Sequence, residues 1–144
     1  MCIRDRVQSY LGFEGRTQEA LDFYVKAVGA VVEKVLRFKD VPGACAPNSG
    51  FDEKILHCSF LVGETQLMAS DGRMSGEKVE FKGISLALTT TDDAEAKKRF
   101  DALSAGGQVI QPLIPAFFTT SFGMVADKFG VTWMIVSATV PQAA

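Results

Sequence analysis

Ala20-Leu21-Asp22-Phe23-Tyr24-Val25-Lys26-Ala27-Val28-Gly29 decides the fold, because a matching programme returns at Ala96-Lys97-Lys98-Arg99-Phe100-Asp101-Ala102-Leu103-Ser104-Ala105-Gly106. In the first stretch Ala20, Leu21, Tyr24, Val25 and Val28 fall at helical spacing and build one apolar face. Thr17 reads as the N-cap, Glu19 suits the positive end of the helix dipole, and Gly29 is a natural C′ residue. In the second stretch Asp92 and Glu95 form a start resembling a capping box, and Ala96, Phe100 and Leu103 supply the buried stripe. Gly106-Gly107 then ends the helix. Outward from each helix the pattern is strand before, strands after. Residues 7–13 read as a short strand closed by Glu14-Gly15-Arg16, and 30–35 as a β-branched strand. Residues 40–52, with Pro42, Gly43, Pro47, Asn48, Ser49 and Gly50, read as a loop. Residues 54–62 and 65–70 form a hairpin around Gly63-Glu64. The second half offers strands at 84–90, 108–114, 122–126 and 132–137. A chain of two β-α-β-β-β units follows, module one at 7–71 and module two at 83–137, with a tail at 138–144.

At 144 residues the chain has the length of about one domain, and 47% apolar residues supply a core. A formal net charge of −2 excludes a polybasic nucleic-acid clamp or an anionic-membrane patch as the default. No apolar run reaches the ~18 residues of a membrane span, so no membrane partner is expected. Cys2, Cys45 and Cys58 lack any Cys-x-x-Cys spacing, which fits a cytoplasmic protein with free thiols. Met1-Cys2-Ile3-Arg4-Asp5-Arg6 resembles translated sequencing adapter and is expected to be a non-native leader.

Three segments carry a family likeness: His57-Cys58-Ser59-Phe60, Leu67-Met68-Ala69-Ser70-Asp71 and Lys128-Phe129-Gly130-Val131-Thr132-Trp133-Met134. They resemble the PhnB-like branch of the vicinal oxygen chelate superfamily, which includes glyoxalase I, extradiol dioxygenases and bleomycin-binding proteins. The likeness runs from Val7 to Ser137. It implies an α+β, glyoxalase-like fold, two β-α-β-β-β modules forming a curved mixed sheet around a ligand cavity, and a homodimer. Family names in this branch include a demethylubiquinone methyltransferase. No Gly-x-Gly-x-x-Gly strand-to-helix turn is present to hold a nucleotide-like cofactor.

Strand parity nominates the ligand-facing side chains. On 54–62, Leu56, Cys58, Phe60 and Val62 are uniformly apolar and should pack under a helix. Ile55, His57, Ser59 and Leu61 are mixed, as a cavity wall would be. Gln66, Met68 and Ser70 share that wall, with Gln8 and Tyr10 from the first strand and Ser85, Ala87 and Thr89 from module two. His57, the only histidine, is the candidate base or hydrogen-bond donor. Cys58 points to the opposite face from His57, which opposes a Cys–His nucleophile pair. The resemblance implies that the stretch holding Phe117, Phe118 and Phe122 is a loop folded over the cavity mouth, where these rings would form an apolar lid. Asp71 reads as a solvated turn residue and Trp133 as packing.

The superfamily's metal site takes one ligand from each of four strands. Carried over, the resemblance places Gln8 or Tyr10, Met68, Ser85 and Ile135 at those positions. A thioether, a hydroxyl and an alkyl group are poor donors for Zn²⁺, Ni²⁺ or Mg²⁺, so no divalent metal or other cofactor is expected. The expected function is binding of a small organic molecule in a half-apolar cavity, through Tyr10, His57, Met68, Ser70, Ser85, Phe118 and Phe122. A lyase or other vicinal-oxygen-chelate enzyme using His57, and a drug-sequestering resistance protein that binds without turnover, are the alternatives.

Overall fold

The computed structural model describes residues 7–41, 53–71 and 80–140. The chain divides into two compact units, Met1–Val79 and Glu80–Ala144. The expected leader at 1–6, nearly all of the loop at 40–52, most of the intermodule linker and residues 141–144 lie outside the described residues, and Cys2 and Cys45 lie there with them.

In unit 1 the elements are β1 (Tyr10–Gly12), α1 (Thr17–Val28), β2 (Val31–Arg37), a 3-10 turn (Phe38–Asp40), β3 (Ile55–Val62) and β4 (Thr65–Ser70). They form a four-stranded sheet in the order β1-β4-β3-β2, with β1 and β4 parallel and the other pairs antiparallel. Unit 2 repeats this with β5 (Ser85–Thr90), α2 (Asp93–Ser104), β6 (Gln108–Ala116), β7 (Thr119–Ala126) and β8 (Thr132–Ser137). Its order is β5-β8-β7-β6, again with one parallel pair, β5 and β8. The fold is α+β, and the repeat inferred from the two helices is real.

The helices form as their spacing dictates, with two corrections in α1. Ala20, Leu21, Tyr24, Ala27 and Val28 are buried, and Tyr24 stacks on Phe60 of β3 with ring centroids 6.1 Å apart. Val25 is 45% exposed, because its position turns out of the buried stripe. Gly29 ends the helix at φ 67°, in the left-handed region, and donates its N–H to Tyr24 O. Thr17 is not the cap but the first helical residue. Its orphan N–H is satisfied from outside the helix, by Asp71. α2 follows its own sequence: Asp92 Oδ1 accepts from Glu95 N–H at 2.9 Å. Gly107 is required where it stands, since a Cβ there would lie 2.1 Å from the Ala126 carbonyl oxygen.

The β6–β7 hairpin also departs from expectation. β6 runs on to Ala116 and β7 begins at Thr119, so Phe117-Phe118 is the tip of a tight hairpin, not part of a longer loop. Thr119 explains the early start of β7. It is fully buried and its hydroxyl donates to Ser137 O at 2.7 Å, locking the strand end to β8.

Candidate functional site

Each sheet carries its helix on one face, and the register settles which residues occupy the other. In unit 1 the helix-facing layer holds Leu11, Cys58, Phe60, Val62, Leu67 and Ala69, all buried. On the open face Tyr10 pairs with Met68, Met68 with Ser59, Gln66 with Leu61, and His57 with Leu36. Parity thus places Tyr10, His57, Ser59, Leu61, Gln66 and Met68 together, as expected. The start of β3 breaks the alternation. A register shift between Leu36 and Arg37 passes over Leu56, so Ile55 is fully buried and Leu56 only half-buried.

The open face of unit 1 has a polar focus and a polar edge. Tyr10 and His57 stack with ring centroids 5.6 Å apart and planes inclined by 28°. The Tyr10 hydroxyl lies 3.0 Å from His57 Nδ1. Towards the other end of the sheet, Gln8 Nε2 donates to Gln66 Oε1 at 2.8 Å, and Gln66 Nε2 donates to Glu33 Oε1 at 2.9 Å. This relay borders a pocket of about 460 Å³, lined by residues that include Gln8, Glu33, Leu61, Glu64 and Gln66. None of Tyr10, His57, Met68 and Ser70 lines it. Ser70 is buried and its hydroxyl donates to Leu56 O at 2.7 Å, a bond that ties the end of β4 to β3.

Unit 2 has the same division of faces. Val125, Trp133 and Ile135 are buried on the side of α2, whereas Ser85, Ala87 and Thr89 are exposed and alternate with half-buried Leu86 and Leu88. Register aligns Ala87 with Met134, Met134 with Met124, and Val136 with Phe122 on the open face. Ile135 therefore cannot take the role that the family pattern carries to it, because it is fully buried and pairs with Leu88 and Gly123. Phe117 is 95% exposed, and the rings of Phe117, Phe118 and Phe122 meet edge to face at 5.1 and 5.9 Å.

Three acids and a thiol complete the electrostatic picture. Asp71, expected in solvent, is 1% exposed. Its Oδ1 accepts from Gly15 N–H at 3.0 Å and Thr17 N–H at 2.9 Å, and its Oδ2 from Ile55 N–H at 2.7 Å. Asp127 does comparable work in unit 2. Its Oδ1 accepts from Phe129 and Val131 N–H, and its Oδ2 from Trp133 Nε1 at 2.9 Å. The hydroxyls of Ser121 and Thr120 hold the exposed Asp93 carboxyl below the usual aspartate range. Burial pushes the Cys58 thiol up to about 11, so it is a core residue and a poor nucleophile, as parity implied. Among the described residues no three His, Cys, Asp or Glu side chains gather as a metal-binding group, and no helix is long and apolar enough to cross a membrane.

A family model described as 3-demethylubiquinone-9 3-methyltransferase matches residues 5–136. The chain belongs to this family. Protein PA1353 of Pseudomonas aeruginosa is 38% identical with a TM-score of 0.82, over 94% of this chain and 99% of that one. Protein YjdN of Escherichia coli is 32% identical, over 88% of this chain and 90% of its own length. The PhnB protein of Bacillus cereus shares the fold at 24% identity and TM-score 0.77, over 93% of this chain and all of that one. FosX of Listeria monocytogenes shares it at 12% identity and TM-score 0.63, over 96% of each chain. The last two likenesses are of fold, and the family assignment rests on the model matched over residues 5–136.

Sequence reasoning missed Asp71 and Asp127 as buried clamps and Glu33 as the end of the glutamine relay. Local sequence carried little signal for Asp71 and Glu33. Asp71 caps a helix that begins 54 residues earlier in the chain, a distance no capping motif spans. Asp127 had one: the spacing to Phe129, Val131 and Gly130 is that of a tight Asp-initiated turn.

Proposed function

We propose that this protein binds a small organic molecule on the open sheet faces of its modules, without a resident catalytic metal. The Tyr10–His57 pair carries the reading: an aromatic, polar-tipped surface, 54% exposed at Tyr10, on a sheet face shared with Met68, Leu36 and Leu61. Half-apolar walls with a few polar groups are what small-molecule sites use. A separate pocket towards the other end of the same sheet, about 460 Å³ and lined by Gln8, Glu33, Leu61 and Gln66 among others, has the usual size of such sites. On unit 2 taken by itself, Ser85, Phe118 and Phe122 are the proposed ligand-facing residues, and in unit 1 Ser70 is a structural support of the His57 strand.

The residues do not fit the superfamily's metal. In unit 1 the carried-over positions hold Met68 and either Tyr10 or Gln8, and the Gln8 amide is engaged with Gln66. In unit 2 they hold Ser85 and the buried Ile135. A thioether, an amide, a hydroxyl and an alkyl group do not make a site for a hard or borderline cation. Methyl transfer, the activity in the family description, requires a methyl donor, and the sequence has no glycine-rich strand-to-helix turn of the kind that cradles a nucleotide-like one. The proposal includes a homodimer, supported by the apolar residues left exposed on the edge strands, Val31 and Val32 of β2 and Ile110 and Ile114 of β6.

A thermal-shift screen of small carbonyl, carboxylate and aromatic compounds, followed by a turnover assay on every hit, tests this reading. The expected result is a concentration-dependent rise in Tm for one compound class, weakened in His57→Ala, without turnover. Stoichiometric divalent metal in protein purified without chelator, together with turnover that depends on it, would refute the proposal. So would a screen with no hit.

A further inference from the structure

We propose that Tyr10 is a positioning residue that holds His57 as a hydrogen-bond donor, so that the open face of unit 1 selects ligands presenting an acceptor oxygen. The proposal rests on the ligand-binding reading of that face and adds the ligand's chemical class. A neutral imidazole has one N–H and one bare nitrogen, and whatever engages Nδ1 determines what Nε2 offers. Here Nδ1 faces the Tyr10 hydroxyl at 3.0 Å. A phenolic O–H is a better donor than a neutral imidazole N–H, and an imidazole nitrogen a better acceptor than a phenol oxygen. Tyr10 therefore donates, Nδ1 accepts, and the ring proton stays on Nε2.

Stacking at 5.6 Å and 28° keeps this arrangement in register although Tyr10 is half exposed. Among the described residues His57 makes no other hydrogen bond, so Nε2–H is left for a ligand or for water. Its neighbours across the strands do not compete. Leu36 is apolar, and the Ser70 hydroxyl is committed to Leu56 O. A ligand that buries Nε2–H without accepting from it leaves a donor unsatisfied, which costs roughly tenfold or more in affinity. A carbonyl or carboxylate oxygen on a flat apolar body avoids that cost, and a protonated amine or bare hydrocarbon, which has no acceptor, does not. For the same reason His57 is a poor general base here. Freeing a lone pair on Nε2 would move the proton to Nδ1 and reverse the better hydrogen bond.

His57 is the only histidine, so long-range imidazole ¹H–¹⁵N spectra of the full chain at pH 8 contain one ring. The wild type should show the Nε2–H tautomer, and Tyr10→Phe, which keeps the stacked ring but loses the hydroxyl, should show a mixture of both. An Nδ1–H tautomer in the wild type overturns the proposal, as does an unchanged tautomer in a Tyr10→Phe variant whose amide spectrum shows a native fold. Titration with benzoate, acetophenone and benzylamine then reads the selectivity. Benzoate or acetophenone should bind at least about tenfold tighter than benzylamine and shift the Nε2 signals, with the preference reduced in Tyr10→Phe. Equal binding of all three overturns the selectivity while leaving the binding reading intact. Failure of all three to bind, with the tautomer as expected, overturns the selectivity and weighs against the binding reading itself.

Discussion

Replacing Asp71 should unfasten unit 1 at the junction where α1, β3 and β4 meet. The carboxylate is 1% exposed and accepts three backbone N–H bonds, those from Thr17 and Ile55 being buried. In Asp71→Ala the Gly15 N–H, only partly buried, can turn to water. The other two donors stay buried without partners, at about 1–3 kcal/mol each. Removing a buried carboxylate recovers part of that loss, because the ion no longer needs desolvating. The net expectation is a destabilisation of about 3 kcal/mol. For a chain of this length that corresponds to roughly 6–12 °C in Tm. Asp71→Asn is the informative comparison. Its single oxygen can serve Gly15 and Thr17, but its NH₂ group then faces the Ile55 N–H, donor against donor. It should therefore cost about half as much as alanine. Urea unfolding followed by far-UV circular dichroism and by the fluorescence of the single Trp133, a unit 2 residue, measures both variants. Coincident transitions would license a two-state treatment. A loss below about 1 kcal/mol in Asp71→Ala, or an asparagine variant as damaged as the alanine one, would refute the clamp.

Glycine and cysteine positions give two further expectations. Gly107→Ala drives a Cβ to 2.1 Å from a backbone oxygen, and should lower Tm by several degrees or prevent folding, whereas Gly12→Ala meets nothing within 4 Å and should change Tm little. A Gly107 variant as stable as the Gly12 variant would contradict the packing described. With its pKa pushed up to about 11, only about one Cys58 thiol in a thousand is ionised at pH 8, so iodoacetamide should label the Cys58 peptide only after unfolding, as peptide mass spectrometry can read. Its raised pKa carries a sign as well. An unfolded thiol ionises first as pH rises past about 9, so stability should fall between about pH 9 and 11, and Cys58→Ala should remove that component.

Periodicity along the chain determined most of the fold. The apolar stripe of Ala20, Leu21, Tyr24 and Val28, the Gly29 stop and the Asp92–Glu95 start are local devices, and each holds in the folded protein because neighbours three or four residues apart meet on any helix. Strand parity likewise assigned Cys58 and Phe60 to the core and His57 and Met68 to the open face, since alternation needs only an extended chain. It failed where tertiary structure intervened. The register shift at Arg37 buried Ile55, and the bond from Thr119 to Ser137 O extended β7 beyond the start that spacing predicts. Only the folded chain placed the Asp71 carboxylate at the start of a helix that precedes it by more than fifty residues. Nor did spacing alone bring the Tyr10 hydroxyl onto His57, 47 residues away. Those contacts depend on the order β1-β4-β3-β2, which makes β4 the partner of both β1 and β3. Local sequence encodes local geometry, whereas the site is assembled from strands whose adjacency the tertiary fold decides.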